Sequence, residues 1–133
     1  MTPEVGDYLC KARQALSESR AVMMIDLTEA AGRTAYLAMF HAAQALIFDR
    51  TGSIAKTHSG VRSEFARISK DDSRVDREFT ASLAQAYVLK EIADYEMGPN
   101  AIVPRERAAA VIESAAKFID CISGVVASRE PRA

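Results

Sequence analysis

The sequence predicts an all-α protein, an up-and-down bundle of four long helices plus one short helix. Three observations carry that expectation. Hydrophobic residues make up 49 % of the chain but aromatics only 7 %, with no Trp, so the apolar volume is mostly alanine and aliphatic. Such volume suits closely spaced helices better than a sheet sandwich. Apolar residues recur at helical spacing in successive segments, while strand-like alternation persists nowhere. Helix punctuation separates the segments, from Thr2-Pro3 at the start to Gly98-Pro99 near the end.

Residues 29–50, EAAGRTAYLAMFHAAQALIFDR, form the segment around which the others are expected to pack. Ala35, Tyr36, Leu37, Met39, Phe40, Ala43, Leu46 and Ile47 cover most of the circumference of such a helix, which therefore needs neighbours on several sides. Asp26 and Glu29 read as its capping box. At about 1.5 Å per residue the rod is on the order of 33 Å long. The uncharged run between Arg33 and Asp49 is too short for a membrane span and includes His41 and Gln44.

The first helix starts at Thr2, a hydroxyl cap followed by proline at the first helical position. Val5, Tyr8, Leu9, Ala12, Ala15 and Leu16 form its inward stripe. Residues 17–25 lose that period and read as a connection tucked under the core. The turn after the central helix contains Gly52. Ser59 then caps a short helix that buries Val61, Phe65 and Ile68. Residues 69–76 are too polar and turn-prone to pack. A fourth helix starts near Asp76 or Arg77, directs Phe79, Leu83, Ala86, Tyr87, Ile92 and Ala93 inward, and stops at Gly98 with a left-handed cap. The last helix opens at Pro104 and buries Ala108, Val111, Ile112, Ala115, Phe118, Ile119, Ile122 and Val125. Residues 1–127 thus read as one domain, and residues 128–133 as a flexible C-terminal tail.

Charge and motifs narrow the function classes. The net charge is −1, so no global basic field advertises nucleic acid, and any such site must be a local patch. MTPEVGDY lacks a basic and apolar leader pattern, which places the protein in the cytoplasm and away from the membrane. Cys10 and Cys121 are far apart, without metal-ligand spacing, and read as two buried thiols. Two histidines leave little from which to build a metal centre or a nucleophilic triad, so no metal or other cofactor is expected. His41, inside an apolar run, reads as a core histidine with one satisfied nitrogen. His58, beside Thr57 and Ser59, is the better proton carrier, because partial exposure keeps its pKa near neutrality.

Lys90 and Asp94 are four apart and share a helix face with Leu83 and Tyr87, which keeps that face partly out of water. The plain reading is a solvated ion pair; the alternative is a polar group held against a ligand or partner. Arg33 and Tyr36, one turn apart, present a guanidinium and a phenol to the same region.

AYLAMFHAAQALI (residues 35–47), KTHSGV (56–61) with Phe65 following, ADYEM (93–97) and AAKFI (115–119) occur in an order that resembles the small prokaryotic HEPN domains, the higher eukaryotes and prokaryotes nucleotide-binding family. The resemblance spans roughly residues 5 to 125. It implies a helical bundle, a homodimer, and an RNA- or nucleotide-binding module of a toxin–antitoxin or stress and defence system, whose catalytic form is a metal-independent ribonuclease. The alternative it implies is a non-catalytic interaction protein that docks a minimal nucleotidyltransferase. On the first reading His58, Lys90 and Asp94 form the catalytic set, and Arg33, Tyr36, Lys56 and Tyr95 bind RNA or nucleotide. Such cleavage needs a histidine to move a proton and a cation to steady the phosphorane. Ribonuclease members carry an arginine and a histidine at closer spacing, and the resemblance fails there. Arg33 and His41, and Arg50 and His58, are each separated by seven residues. Lys90 also stands where this branch often has arginine, keeping the charge but losing the bidentate fork.

Overall fold

A computed structural model describes residues 1–128 and shows five α-helices: α1 (Pro3–Met24), α2 (Thr28–Thr51), α3 (His58–Lys70), α4 (Glu78–Tyr95) and α5 (Arg105–Ser128). A short 3-10 turn, Gly98–Ala101, links the last two, and no strand occurs among the described residues. The architecture is the expected all-α bundle. Of the tail expected at 128–133, Ser128 is helical and the remainder lies outside the described residues.

α2 is the hub, touching α1, α3, α4 and α5. Its sequence explains why. Ala31, Ala35, Ala38, Ala42, Ala43 and Ala45 are all fully buried, and with so little side-chain bulk neighbouring backbones come close on several sides. At Gly32 the approach is close, since a Cβ there would lie 3.4 Å from Cβ of Leu89 on α4. Tyr36, Met39, Leu46 and Ile47 fill the remaining space. α5 closes the bundle with the stripe Ala108, Val111, Ile112, Ala115, Phe118, Ile119, Ile122 and Val125, as its spacing predicts. Phe118 stacks on Phe65 of α3 and meets Phe79 of α4 edge-on, joining three helices through one aromatic group.

Several local expectations are corrected. Residues 17–25 are not a connection, because α1 runs unbroken to Met24. Ser19 is fully buried and donates its hydroxyl to the Ala31 carbonyl of α2 at 2.7 Å, a contact that sequence period does not show. Asp26 does not cap α2; it ends α1. It adopts a left-handed conformation (φ 62°), and the Asp26 and Leu27 amides donate to the carbonyls of Met23 and Val22, the two bonds of a Schellman stop. The Asp26 carboxylate pairs with Arg105 at the start of α5, and Leu27 takes the N-cap position of α2 with no side-chain cap.

Thr57, not Ser59, caps α3 by accepting from the Gly60 amide at 2.9 Å. α4 stops at Tyr95, ahead of Gly98, whose positive φ of 64° serves the 3-10 turn instead. The polar stretch 69–76 does pack. Asp72 and Val75 are buried there, with Asp72 accepting from Arg50 at 2.6 Å and from the backbone and guanidinium of Arg74. These bonds, led by those from the Arg74 side chain, hold the Asp72 carboxyl far below the ordinary carboxylate range against the opposing effect of burial. Of the two thiols expected inside, Cys10 is exposed. Cys121 is half-buried, its thiol pushed up by burial and bonded to the Arg74 carbonyl.

Candidate functional site

The site is built where the start of α3 crosses the middle of α2 and the second half of α4. Its position depends on the loop before α3. Gln44, 4 % exposed on α2, clamps that loop through both ends of its amide: Nε2 donates to the Ala55 carbonyl at 2.8 Å and Oε1 accepts from the Ala55 amide at 3.2 Å. Two residues on, the Thr57 hydroxyl caps α3. A Cβ at position 60 would lie 2.9 Å from that hydroxyl, so the cap requires glycine there. The THSG sequence is therefore a device that starts α3 tightly and delivers His58 at its first position.

His58 meets the phenol of Tyr36, with Oη 2.8 Å from Nδ1. Phe40, Tyr36 and Tyr87 surround the imidazole with ring centroids 5.0 to 5.7 Å away. Tyr36 is wholly enclosed, and burial pushes its pKa up to about 12 although the nearby Arg62 guanidinium acts against that. The phenol stays protonated. Burial lowers the His58 pKa, and the positive charges of Lys90 and Arg62 add to the effect. The near-neutral pKa expected from partial exposure is thereby corrected downwards, since the aromatic walls and two cations both disfavour the imidazolium.

On α4, Lys90 is 8 % exposed, with Nζ 3.0 Å from Oδ2 of Asp94 and 3.9 Å from Oε2 of Glu91. The other oxygen of Asp94 accepts from Nε of Arg33 on α2 at 2.8 Å. Burial works against the Asp94 carboxylate, but its bonds to Lys90 and Arg33 outweigh it and leave the pKa depressed. The bond to Asp94 raises that of Lys90. The pair is not the plain solvated one, because the lysine is buried and shared between two acids and two rings: its Nζ lies 5.8 Å from the Tyr87 centroid and 5.4 Å from that of Tyr95.

Six of the seven residues singled out in the sequence fall into one neighbourhood: Arg33, Tyr36, His58, Lys90, Asp94 and Tyr95. Lys56 does not join them; it is exposed on the loop two residues before His58. His41 also stands apart, half-buried and lining a shallow groove with Lys11 and Glu18, its pKa lowered by burial and by Lys11.

Sequence reasoning missed Arg62, Glu91 and Gln44. The Arg62 guanidinium stacks over the Tyr87 ring at 4.0 Å, and its Nη1 is buried without a hydrogen-bond partner. Glu91 accepts from the Tyr87 hydroxyl at 2.7 Å. A signal for Arg62 was present: His58 and Arg62 are four apart and share one helix face. Arg33, Arg62 and Lys90 face two carboxylates, Glu91 and Asp94, leaving an excess of one positive charge in a protein whose net charge is −1. A groove of about 440 Å³ runs along α4 past Tyr87, Glu91, Tyr95 and Glu96. Its rings and acids suit a stacked aromatic group better than a phosphate. No described helix is long and apolar enough to cross a membrane.

Comparison with known proteins agrees with this picture. The family model described as HEPN domain matches residues 5–125. A UPF0332 protein of Gloeobacter violaceus is 30 % identical over 119 residues, which cover 90 % of this chain and 93 % of that protein. With the match extending through all five helices, the chain belongs to the HEPN domain family.

Proposed function

We propose that this protein is an RNA- or nucleotide-binding module of a toxin–antitoxin or stress and defence system, and that its ligand binds at the α2–α3–α4 cluster. The observation that carries the reading is the gathering of Arg33, Arg62 and Lys90 among the rings of Tyr36, Tyr87, Tyr95 and His58. Cations hold phosphate and aromatic faces take bases, the combination used for single-stranded nucleic acid. Lys90 and Arg33 are assigned to phosphate, Asp94 to holding both cations in place, and the exposed Tyr95 ring to base stacking. Lys56 adds charge from the neighbouring loop. The protein acts in the cytoplasm as a homodimer. Support for an interface comes from the apolar side chains left uncovered near the α1–α2 turn and the α4–α5 link: Met24, Ile25, Leu27, Met97 and Ile102.

Fluorescence anisotropy with a labelled single-stranded RNA tests the reading. Tyr95→Ala is expected to weaken binding by about 5- to 100-fold if it stacks on a base. Arg33→Gln is expected to reduce the salt dependence by about one ion. Binding that is absent in the wild type, or indifferent to both changes, overturns the proposal.

The ribonuclease form adds a step in which the 2′-hydroxyl attacks phosphorus, the 5′-oxygen leaves and His58 carries the proton while Lys90 steadies the phosphorane. Metal-free incubation with RNA tests it, with equal degradation by wild type and His58→Ala as the contrary result. The same uncovered apolar side chains favour a second reading, a non-catalytic surface for a minimal nucleotidyltransferase. A stable complex with that enzyme, lost in Met97→Glu, supports docking.

A further inference from the structure

The Tyr36–His58 contact permits two proton arrangements, and the surroundings select one. Either the phenol donates to Nδ1, or a protonated Nδ1 donates to the phenol oxygen. In the second arrangement the phenolic proton needs an acceptor of its own. Tyr36 is fully buried, and among the described residues its hydroxyl proton has no hydrogen-bond acceptor besides Nδ1 of His58. The Tyr87 hydroxyl donates to Glu91, and its oxygen makes no hydrogen bond with Tyr36 among the described residues. On the other flank lies Arg62, a donor with no lone pair to offer. A buried, unpaired hydroxyl proton costs on the order of 1–3 kcal/mol, which disfavours this arrangement. In the first arrangement the phenolic proton and the Nδ1 lone pair satisfy each other.

We propose that Tyr36 donates to Nδ1 of His58 and locks the imidazole as the neutral tautomer protonated at Nε2, making His58 a fixed hydrogen-bond donor. Nε2 has no hydrogen-bond partner among the described residues. Its N–H is available to an acceptor oxygen of a ligand, a phosphoryl oxygen above all. The consequence for chemistry is direct. A ring whose Nδ1 lone pair is engaged and whose Nε2 carries hydrogen has no free base with which to deprotonate a 2′-hydroxyl. Tyr36 is thus a positioning residue that favours binding over cleavage, an assignment of ligand role that rests on the binding reading above.

The protein has two histidines, so nitrogen-15 labelling of histidine reports on the ring directly. His58→Gln identifies the signals. Above its pKa, His58 is expected to show a pyrrole-like Nε2 and a pyridine-like Nδ1, and Tyr36→Phe to lose that preference while helical circular dichroism is kept. A wild-type ring protonated at Nδ1, or the same tautomer in Tyr36→Phe, overturns the lock. The donor role is read with adenosine 5′-monophosphate as probe: His58→Gln, which retains an N–H, is expected to bind within about threefold of wild type, and His58→Ala about tenfold more weakly. Equal binding by all three refutes the donor role. Failure of the wild type to bind this nucleotide or RNA defeats the binding reading instead, while the tautomer measurement stands by itself.

Discussion

Arg33 and Asp94, 61 residues apart in sequence, join α2 to α4 through a 2.8 Å bond from Nε to Oδ1, and the same carboxylate holds the buried Lys90. The two cations do not depend on it equally. Arg33 has a side chain 44 % exposed and loses little when unpaired, whereas the Lys90 side chain is only 10 % exposed. Asp94→Asn is therefore expected to destabilise the fold by about 1–3 kcal/mol, since it removes the nearer of two carboxylates from a buried ammonium and leaves only Glu91 at 3.9 Å. Arg33→Ala is expected to cost about 0–1 kcal/mol. Urea denaturation of the two variants side by side measures the difference; a larger loss for Arg33→Ala contradicts the assignment.

The start of α3 rests on a hydroxyl and a missing side chain. Thr57→Ala removes the cap and is expected to cost about 1 kcal/mol. Gly60→Ala places a methyl 2.9 Å from the Thr57 hydroxyl and is expected to cost at least as much, although alanine normally favours helix over glycine. Thermal melts check the sign, and a stabilised Gly60→Ala variant shows that the cap yields without strain.

Asp72 ties the end of α2 to the turn after α3 by accepting from Arg50 and Arg74. Its carboxylate is nearly enclosed and the Arg50 side chain is 10 % exposed, so Asp72→Ala leaves a buried guanidinium without this partner. The expected loss is about 3–5 kcal/mol by chemical denaturation. Because the folded-state pKa is depressed, the stabilisation is fully present above the unfolded value of about 3.9, declines as pH falls below it, and is gone once pH has fallen through the much lower folded value.

The two histidines give a separate acid response at milder pH. Burial lowers both pKa values, reinforced at His41 by Lys11 and at His58 by Lys90 and Arg62. The unfolded chain takes up these protons near about pH 6.5, while the folded protein resists them to lower pH. Their stabilisation is full above that pH and declines as pH drops through the folded values. The melting temperature is expected to fall between about pH 7 and 5, and the His41→Gln, His58→Gln double variant to show a flatter profile over that range. Parallel profiles rule out the histidines as its source.

The set of helices, and the rank of one among them, follow from residue spacing alone. Apolar residues all around α2 require neighbours on every side, and the stripe from Ala108 to Val125 specifies the inward face of α5, because period is a local property of the chain. Most of the candidate residues were legible in the same way, as charges and rings set on partly apolar faces. Their partners were not. Tyr36 with His58, Arg33 with Asp94 and Ser19 with Ala31 depend on how far one helix slides along another, and α1 continues past Ser17 for the same reason. Arg62 sits in plain view of His58, yet its stacking on Tyr87 exists only once α3 has been laid against α4. These pairings arise only when the bundle assembles, since a side chain's partner is set by the crossing and register of whole helices, which no local spacing encodes.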